Sequence, residues 1–190
     1  MNKIMKLIIL VLALLSLISC GAQNSQTKKS MNTFDIKTFK KNKIGSEYNF
    51  IKDDTIDIRQ LEWEDEYEEI IKTKNSYFEI YKSYYKNGKI KMLVERFPNK
   101  FVNFIKEYDE NGNLIKETDY DKDFNYTWED LLKLLKEREI KIIDRNTTIR
   151  KDEGRWHVWY VDGLYVYNIF IDGKTGKILQ DVKNEFEEGS

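Results

Sequence analysis

The chain has few of the residues that cross-link or interrupt a fold. Its 190 residues contain one cysteine, Cys20, one proline, Pro98, and one histidine, His157. A single cysteine excludes an internal disulfide, and a single proline excludes a proline-rich linker. One histidine and one cysteine cannot supply the ligand set of a zinc site. The domain must therefore be stabilised by its own core, and we expect it to need no cofactor.

The sequence also has no long apolar run and no large excess of one charge. The one unbroken apolar run, residues 7–15, is too short to cross a bilayer, which takes about 20 residues. The 32 basic residues are balanced by 33 acidic ones, so the basic footprint of a nucleic-acid-binding protein is missing. Charged residues make up 34% of the chain and aromatic residues 14%, which is typical of a compact domain with a charged surface.

The first twenty residues have the order of a secretory leader. Two lysines precede the apolar run, and Leu17-Ile18-Ser19-Cys20 follows it. This exit resembles the lipobox of bacterial lipoproteins. The resemblance implies that residues 1–19 are removed and that Cys20 carries acyl chains such as palmitate, which hold the protein at a membrane. An ordinary leader beside an incidental cysteine is the alternative. We expect residues 20–33 to be a flexible tether.

Residues 56–72 have apolar side chains at helical spacing. Trp63, Tyr67, Ile70 and Ile71 stand at positions i, i+4, i+7 and i+8, with five acidic residues between them and Glu62 directly before them. This spacing predicts an amphipathic, strongly acidic helix. A charge run of this kind is most often a solvated helix face, although it could attract a basic partner.

From residue 76 the period changes from helical to two. Alternating runs flank Asn87-Gly88 and, 24 residues later, Asn111-Gly112. Asn-Gly between alternating runs predicts a hairpin, so residues 76–120 form a repeat of two hairpins. Residues 84–120 resemble the MORN-like repeats of bacterial antitoxin and immunity-type proteins. The resemblance implies a non-catalytic module that binds another protein.

A second helix is predicted over residues 127–138, with Thr127 as N-cap and acids in the first turn. Hairpins follow over 139–182, with short strand candidates at 140–143 and 148–150. Residues 155–181, a tryptophan strand, an aromatic strand and Ile-Asp-Gly-Lys-Thr-Gly-Lys-Ile-Leu, resemble the end of PepSY-like domains. We predict a single α+β domain over 34–183, with antiparallel hairpins in one or two sheets packed by the two amphipathic helices. Residues 184–190 are expected to fray.

Three groups of side chains are candidates for chemistry or binding. Asp119, Asp121 and Asp123 have the alternation of a calcium loop, but Phe124 stands where that loop needs glycine, so a solvated acidic loop is favoured and no metal is expected. His157 lies in a strand and faces away from both its neighbours. A general base needs a nucleophile within reach, and no serine lies in a nucleophile-elbow pattern, so a packed or surface histidine is favoured over a catalytic one. Exposed aromatic residues on a sheet suit protein binding. The candidates are Tyr81, Tyr85, Trp159, Tyr165 and Tyr167.

The sequence thus predicts a non-enzymatic, lipid-anchored protein-binding module of the cell envelope, an immunity-type partner of a toxin. Its expected partners are the membrane and an unknown protein, with no nucleic acid, and we expect a monomer on the periplasmic face of the outer membrane. A structural or assembly lipoprotein is one alternative. A carboxylate-based hydrolase is the other, and it would need two acids at a defined separation in a cleft.

Overall fold

The structure is a computed structural model that describes residues 32–185. In this part of the chain, strands form two antiparallel sheets, accompanied by two short helices. The helices are α1 (Ile36–Asn42) and α2 (Trp128–Glu137). The strands are β1 (Glu47–Lys52), β2 (Ile56–Glu62), β3 (Glu66–Thr73), β4 (Glu79–Tyr85), β5 (Ile90–Phe97), β6 (Phe101–Tyr108), β7 (Leu114–Asp119), β8 (Thr147–Asp152), β9 (Arg155–Asp162), β10 (Tyr165–Asp172) and β11 (Ile178–Glu185). The predicted leader and Cys20 lie outside the described residues.

Strands β1 to β7 form a meander, the large sheet, in which each strand pairs with the next. The two predicted Asn-Gly hairpins are confirmed as β4–β5 and β6–β7. Gly88 and Gly112 have φ of +83° and +84°, a conformation that favours glycine. A Cβ on Gly88 would also lie 3.2 Å from the carbonyl oxygen of Phe34. Glycine at that turn is therefore required by backbone conformation and by space.

The prediction of a helix over residues 56–72 is wrong, because this segment forms the hairpin of β2 and β3. Tyr67 and Ile71 lie on one face of the sheet and Ile70 on the other, while Trp63 lies in the turn and is half exposed. The isoleucines of this segment are β-branched and favour strands. Pairing with β1 and β4 on both sides outweighs the helical spacing of four apolar residues.

The chain enters the fold beside the β4–β5 turn. Phe34 N donates to Gly88 O at 2.8 Å, and Ile90 N donates to Asn32 O at 3.1 Å. Thr33 forms a bridge with Lys89. The predicted tether, residues 20–33, therefore extends two residues too far, because Asn32 and Thr33 are hydrogen-bonded to the large sheet.

Helix α1 closes a small aromatic core on one face of the large sheet. The Asp35 side chain caps the helix by accepting from Thr38 N at 3.0 Å. Phe39 is fully buried and packs with Phe34, whose ring stacks on Tyr67 with centroids 4.6 Å apart. The buried face of this short helix therefore fixes the entering chain to the sheet.

Strands β8 to β11 form a second antiparallel meander, the small sheet, and α2 packs with it. Helix α2 begins as predicted, with Thr127 and Asp130 in a capping box. Its buried residues share one core with the inward side chains of the sheet, and the core continues to the β5–β6 end of the large sheet. The members are Phe97, Phe101, Trp128, Leu131, Leu135, Ile140, Ile142, Ile149, Trp156, Val158, Ile169 and Ile171.

Two boundaries near the C-terminus differ from the prediction. Residues 140–143 are a loop, because Glu139 has a positive φ and Ile140 N donates to Leu135 O at 2.9 Å, which ends α2. Ile140 is buried there as part of the core. Asn184 and Glu185, predicted to fray, pair with β10. The fold is therefore largely antiparallel β-structure with two short helices, of which only α2 was predicted.

Candidate binding surfaces

The five aromatic residues predicted to bind a protein lie on three different surfaces. Tyr81 and Tyr85 alternate with buried Lys82 and Tyr84, so they share one face of the large sheet. The other three belong to the small sheet. Tyr165 and Tyr167 are in phase with its buried residues and face the side of α2, whereas Trp159 is on the opposite side. The five side chains therefore do not form a single site.

Tyr81 and Tyr85 are held by cross-strand contacts. The Tyr81 hydroxyl donates to Glu68 at 2.8 Å, and the Arg96 guanidinium lies 4.9 Å from the centre of its ring. Burial, followed by the nearby Glu68 carboxylate, raises the pKa of Tyr81 well above its usual value. The Tyr85 hydroxyl donates to Tyr108 O at 2.9 Å. These two tyrosines are thus engaged within the large sheet.

Tyr165 and Tyr167 form a second aromatic surface beside the C-terminal strand. The Lys183 ammonium lies 3.7 Å from the centre of the Tyr165 ring. Tyr167 stacks on Tyr160 with centroids 4.6 Å apart and planes inclined by 3°. Tyr167 is half-buried on this face, whereas Tyr165 is exposed.

The side of the small sheet opposite α2 carries an apolar and aromatic surface, which we call the outer face. It consists of His157, Trp159, Val161, Val166 and Phe170. They form the cross-strand pairs His157–Phe170 and Val161–Val166, which alternate with the buried pair Val158–Ile169. All five side chains are half-buried, so each keeps an accessible edge on a rigid sheet.

His157 belongs to this outer face and turns away from Trp156 and Val158, as predicted. Its ring stacks on Phe170 with centroids 4.3 Å apart, and its Nε2 lies 2.7 Å from Oδ1 of Asn168. The imidazole therefore has a packing partner and a hydrogen-bonding partner on the sheet.

Two aspartates of the candidate calcium loop, Asp119 and Asp121, have different partners. Asp121 forms an ion pair with Lys151, and Asp119 accepts a hydrogen bond from Asp121 N at 2.8 Å. Among residues 32–185, no three histidine, cysteine, aspartate or glutamate side chains come together as a metal site.

Lys151 is the residue of chemical interest that the sequence analysis missed. Its ammonium lies 4.7, 5.2 and 5.6 Å from the ring centres of Phe101, Trp156 and Phe124. Only 6% of its side chain is exposed. The one signal in the sequence is its position two residues after Ile149, because alternate residues of a strand share a face and Ile149 is buried on the inward face of β8.

Lys151 also joins the two sheets through a chain of polar contacts. Its ammonium donates to Asn103 Oδ1 at 2.9 Å, and Asn103 donates to Glu95 at 2.9 Å. These groups lie at the edge of a cleft of about 370 Å³ between the large sheet and the start of α2. The cleft is lined by Phe78, Glu95, Asn103, Asp121, Phe124, Thr127, Trp128 and Glu129. Two of its carboxylates thus already have partners within the chain.

Burial lowers the pKa of Lys151 below its ordinary value, and the Asp121 carboxylate only partly offsets this effect. As pH rises through the folded-state pKa, the folded protein releases this proton before the unfolded protein does, so stability rises up to about pH 10.5. We therefore expect the free energy of unfolding of the wild type to rise relative to that of Lys151→Met as the pH increases from 7 to about 11, as measured by urea unfolding. A difference that stays constant or falls would contradict this.

The described residues include no helix long and apolar enough to span a membrane. Comparison of the chain with models of protein families, with curated proteins and with solved structures found no significant match.

Proposed function

We propose that this protein is a lipid-anchored, non-enzymatic protein-binding module of the bacterial cell envelope, and that its partner is a toxin for which it serves as the immunity protein. Two features of the sequence support this proposal. The lipobox at residues 17–20 supplies the anchor, and the hairpin repeat of residues 84–120 resembles immunity-type proteins.

The binding surface that we propose is the outer face of the small sheet, and the half-buried apolar and aromatic side chains on it are the observation that carries the proposal. Trp159 and Phe170 are large, rigid and only half-buried, which is typical of residues at the centre of protein interfaces. Leu164, in the adjoining β9–β10 turn, is 76% exposed. Val161 and Val166 lie beyond Trp159, toward the β9–β10 turn, and Asn168 stands opposite Trp159. Arg150 and Gln180 border the His157–Phe170 pair.

The position of this face suits a partner that approaches from the side away from the anchor. The chain enters the fold beside Gly88, at one end of the large sheet, and the small sheet packs at the other end through Phe97 and Phe101. The strands between these ends are up to eight residues long, which is roughly 25 Å. A partner on the outer face would therefore not collide with the acyl chains.

The experiment that tests the proposal is crosslinked co-purification of the native protein from membranes, followed by identification of the partner. We expect a secreted toxin with the wild type, and at least a tenfold lower yield with Trp159→Ala, since truncation of a central aromatic residue costs about 2 kcal/mol or more in binding. Tyr165→Ala is the matched control, because Tyr165 belongs to the opposite side of the same sheet.

Three results would count against the proposal. Equal recovery of the partner with Trp159→Ala would exclude the outer face, provided that thermal unfolding shows the variant to be folded. Recovery of a stoichiometric envelope assembly complex would favour the structural role. A mass measurement of the native protein that found Cys20 without acyl chains would exclude the lipid anchor.

A further inference from the structure

The end of the large sheet at which the chain enters, which we call the entry end, gathers several turns. The strand registers place the loop before β1, the β2–β3 turn and the β4–β5 turn side by side, since Glu47 pairs with Leu61 and Tyr67 pairs with Tyr84. Helix α1 packs against the same end through Phe39 and Tyr67. The predicted tether therefore leads directly to this surface.

Large apolar side chains are exposed at the entry end, and two of them lie near α1. Ile44, in the loop before β1, is 88% exposed, and Trp63, in the β2–β3 turn, is 52% exposed. The two segments are neighbours, because Glu62 N donates to Ser46 O at 2.8 Å. Tryptophan at a surface suits the boundary between water and a bilayer, since its ring is apolar and its N–H can still reach a polar group.

Several exposed lysines lie on the elements that adjoin these apolar groups. Lys37, Lys40 and Lys41 are exposed on α1, on the side away from buried Phe39, and Lys89 is exposed in the β4–β5 turn. Within residues 32–185, Lys40, Lys41 and Lys89 make no ion pair.

The corner that joins α1 to the β2–β3 turn is held together by two further lysines. Lys43 and Lys86 both pair with Glu62, and Lys86 also donates to Trp63 O at 2.9 Å. These contacts link the start of the β2–β3 turn to the C-terminal end of α1 and to the β4–β5 turn. The acidic groups at this corner are Asp35, which caps α1, Glu62, and Glu64 and Asp65 in the β2–β3 turn, and the six lysines at 37, 40, 41, 43, 86 and 89 outnumber these four. The β6–β7 turn, with Asp109 and Glu110, lies at the same end beyond the β4–β5 turn, so the basic part of the entry end is the corner at α1.

We propose that the entry end is a membrane-docking surface for an anionic bilayer, with Trp63 and Ile44 at the level of the headgroups and the α1 lysines beside their phosphates. The proposal rests on the lipid anchor of the proposed function. The tether predicted ahead of Asn32, residues 20–31, has twelve residues, and twelve residues span at most about 40 Å. A tether of this length holds the entry end within reach of the surface to which Cys20 is attached.

A chain without the lipid tests the surface independently of the anchor. The mature chain with Cys20→Ser is mixed with vesicles of phosphatidylglycerol and brominated phosphatidylcholine in equal parts, and quenching of tryptophan fluorescence is followed. We expect quenching at low salt that is lost at high salt, since headgroup attraction is screened within a Debye length. Trp63→Phe should abolish the quenching, whereas Trp159→Phe, at the far end of the molecule, should retain it.

The lysines are tested with a charge-matched pair of variants. Each lysine near an anionic surface contributes about fivefold to partitioning, so Lys37→Gln/Lys40→Gln/Lys41→Gln should weaken vesicle binding at least tenfold. The control is Lys136→Gln/Lys141→Gln/Lys174→Gln, which removes the same charge from exposed lysines near the small sheet. We expect the control to bind within twofold of the parent chain.

Three results would each contradict the proposed docking surface. They are no quenching at low salt, quenching that persists in Trp63→Phe, and an equal loss of binding in the two lysine variants. Acylation of Cys20 is measured separately, by mass analysis of the native protein. If Cys20 is acylated but the lipid-free chain does not bind anionic vesicles, the lipid anchor is supported and the docking surface is excluded. If Cys20 is not acylated but the lipid-free chain binds the vesicles, only the lipid anchor is excluded.

Discussion

Replacement of Trp156 by alanine is expected to lower the free energy of unfolding by about 3–5 kcal/mol, the usual cost of truncating a fully buried aromatic side chain. The side chain has no exposed surface, and its ring lies 5.1 Å from the rings of both Phe101 and Phe124. Its Nε1 donates to Tyr126 O at 2.9 Å, so the substitution also removes a buried hydrogen bond. A loss of this size is a large part of the stability of a typical domain.

The measurement is urea unfolding followed by circular dichroism, with the midpoint and the slope compared between variants. Trp159→Ala is the control, because Trp159 is three residues away on the outer face of the same strand and only half-buried. We expect it to cost less than half as much. If the two substitutions cost the same, the side of the small sheet that faces the core would be assigned wrongly.

The parts of the fold that the sequence predicts are those specified by local signals. Asn87-Gly88 and Asn111-Gly112 each favour a tight hairpin turn by themselves, and Thr127 with Asp130 caps α2 within one turn. Such signals involve residues a few positions apart, so they do not depend on the rest of the chain.

The segments that sequence analysis misassigns depend on distant partners. Residues 56–72 carry apolar residues that fit a helix as well as a strand, and the neighbouring strands decide between the two. Helix α1 has only seven residues and is stabilised by packing of Phe39 on Tyr67. Neither pairing nor packing of this kind can be read from a single local window.

The candidate surfaces were predicted only by residue type. Alternation tells which residues of a strand share a face, but it does not tell which face the helices cover or where two sheets meet. Tyr81 and Tyr85 were therefore grouped with Trp159, although they lie on different sheets. Lys151 was missed for the same reason, because a lysine is buried only where distant residues such as Phe101 and Asn103 surround it.

A second buried polar cluster, at the centre of the large sheet, is organised by Glu69. Its carboxylate accepts from Gln60 Nε2 at 2.7 Å and from the Tyr84 hydroxyl at 3.0 Å, and it lies 3.4 Å from the Lys82 ammonium. Burial, followed by the Glu69 charge, raises the pKa of Tyr84 far above its usual range, so this hydroxyl stays a donor. Three strands, β2, β3 and β4, are thus joined by one carboxylate.

Glu69→Ala is therefore expected to lower the free energy of unfolding by about 3 kcal/mol or more, because it removes the shared acceptor of a buried ammonium, a hydroxyl and an amide. Glu68→Ala in the same strand is the control. Glu68 lies on the opposite face and accepts from Tyr81, so its loss should cost about 1 kcal/mol. Both are measured by urea unfolding at pH 7. Equal costs for the two would show that the cluster at Glu69 is hydrated in solution, since a carboxylate in water is replaced at little cost.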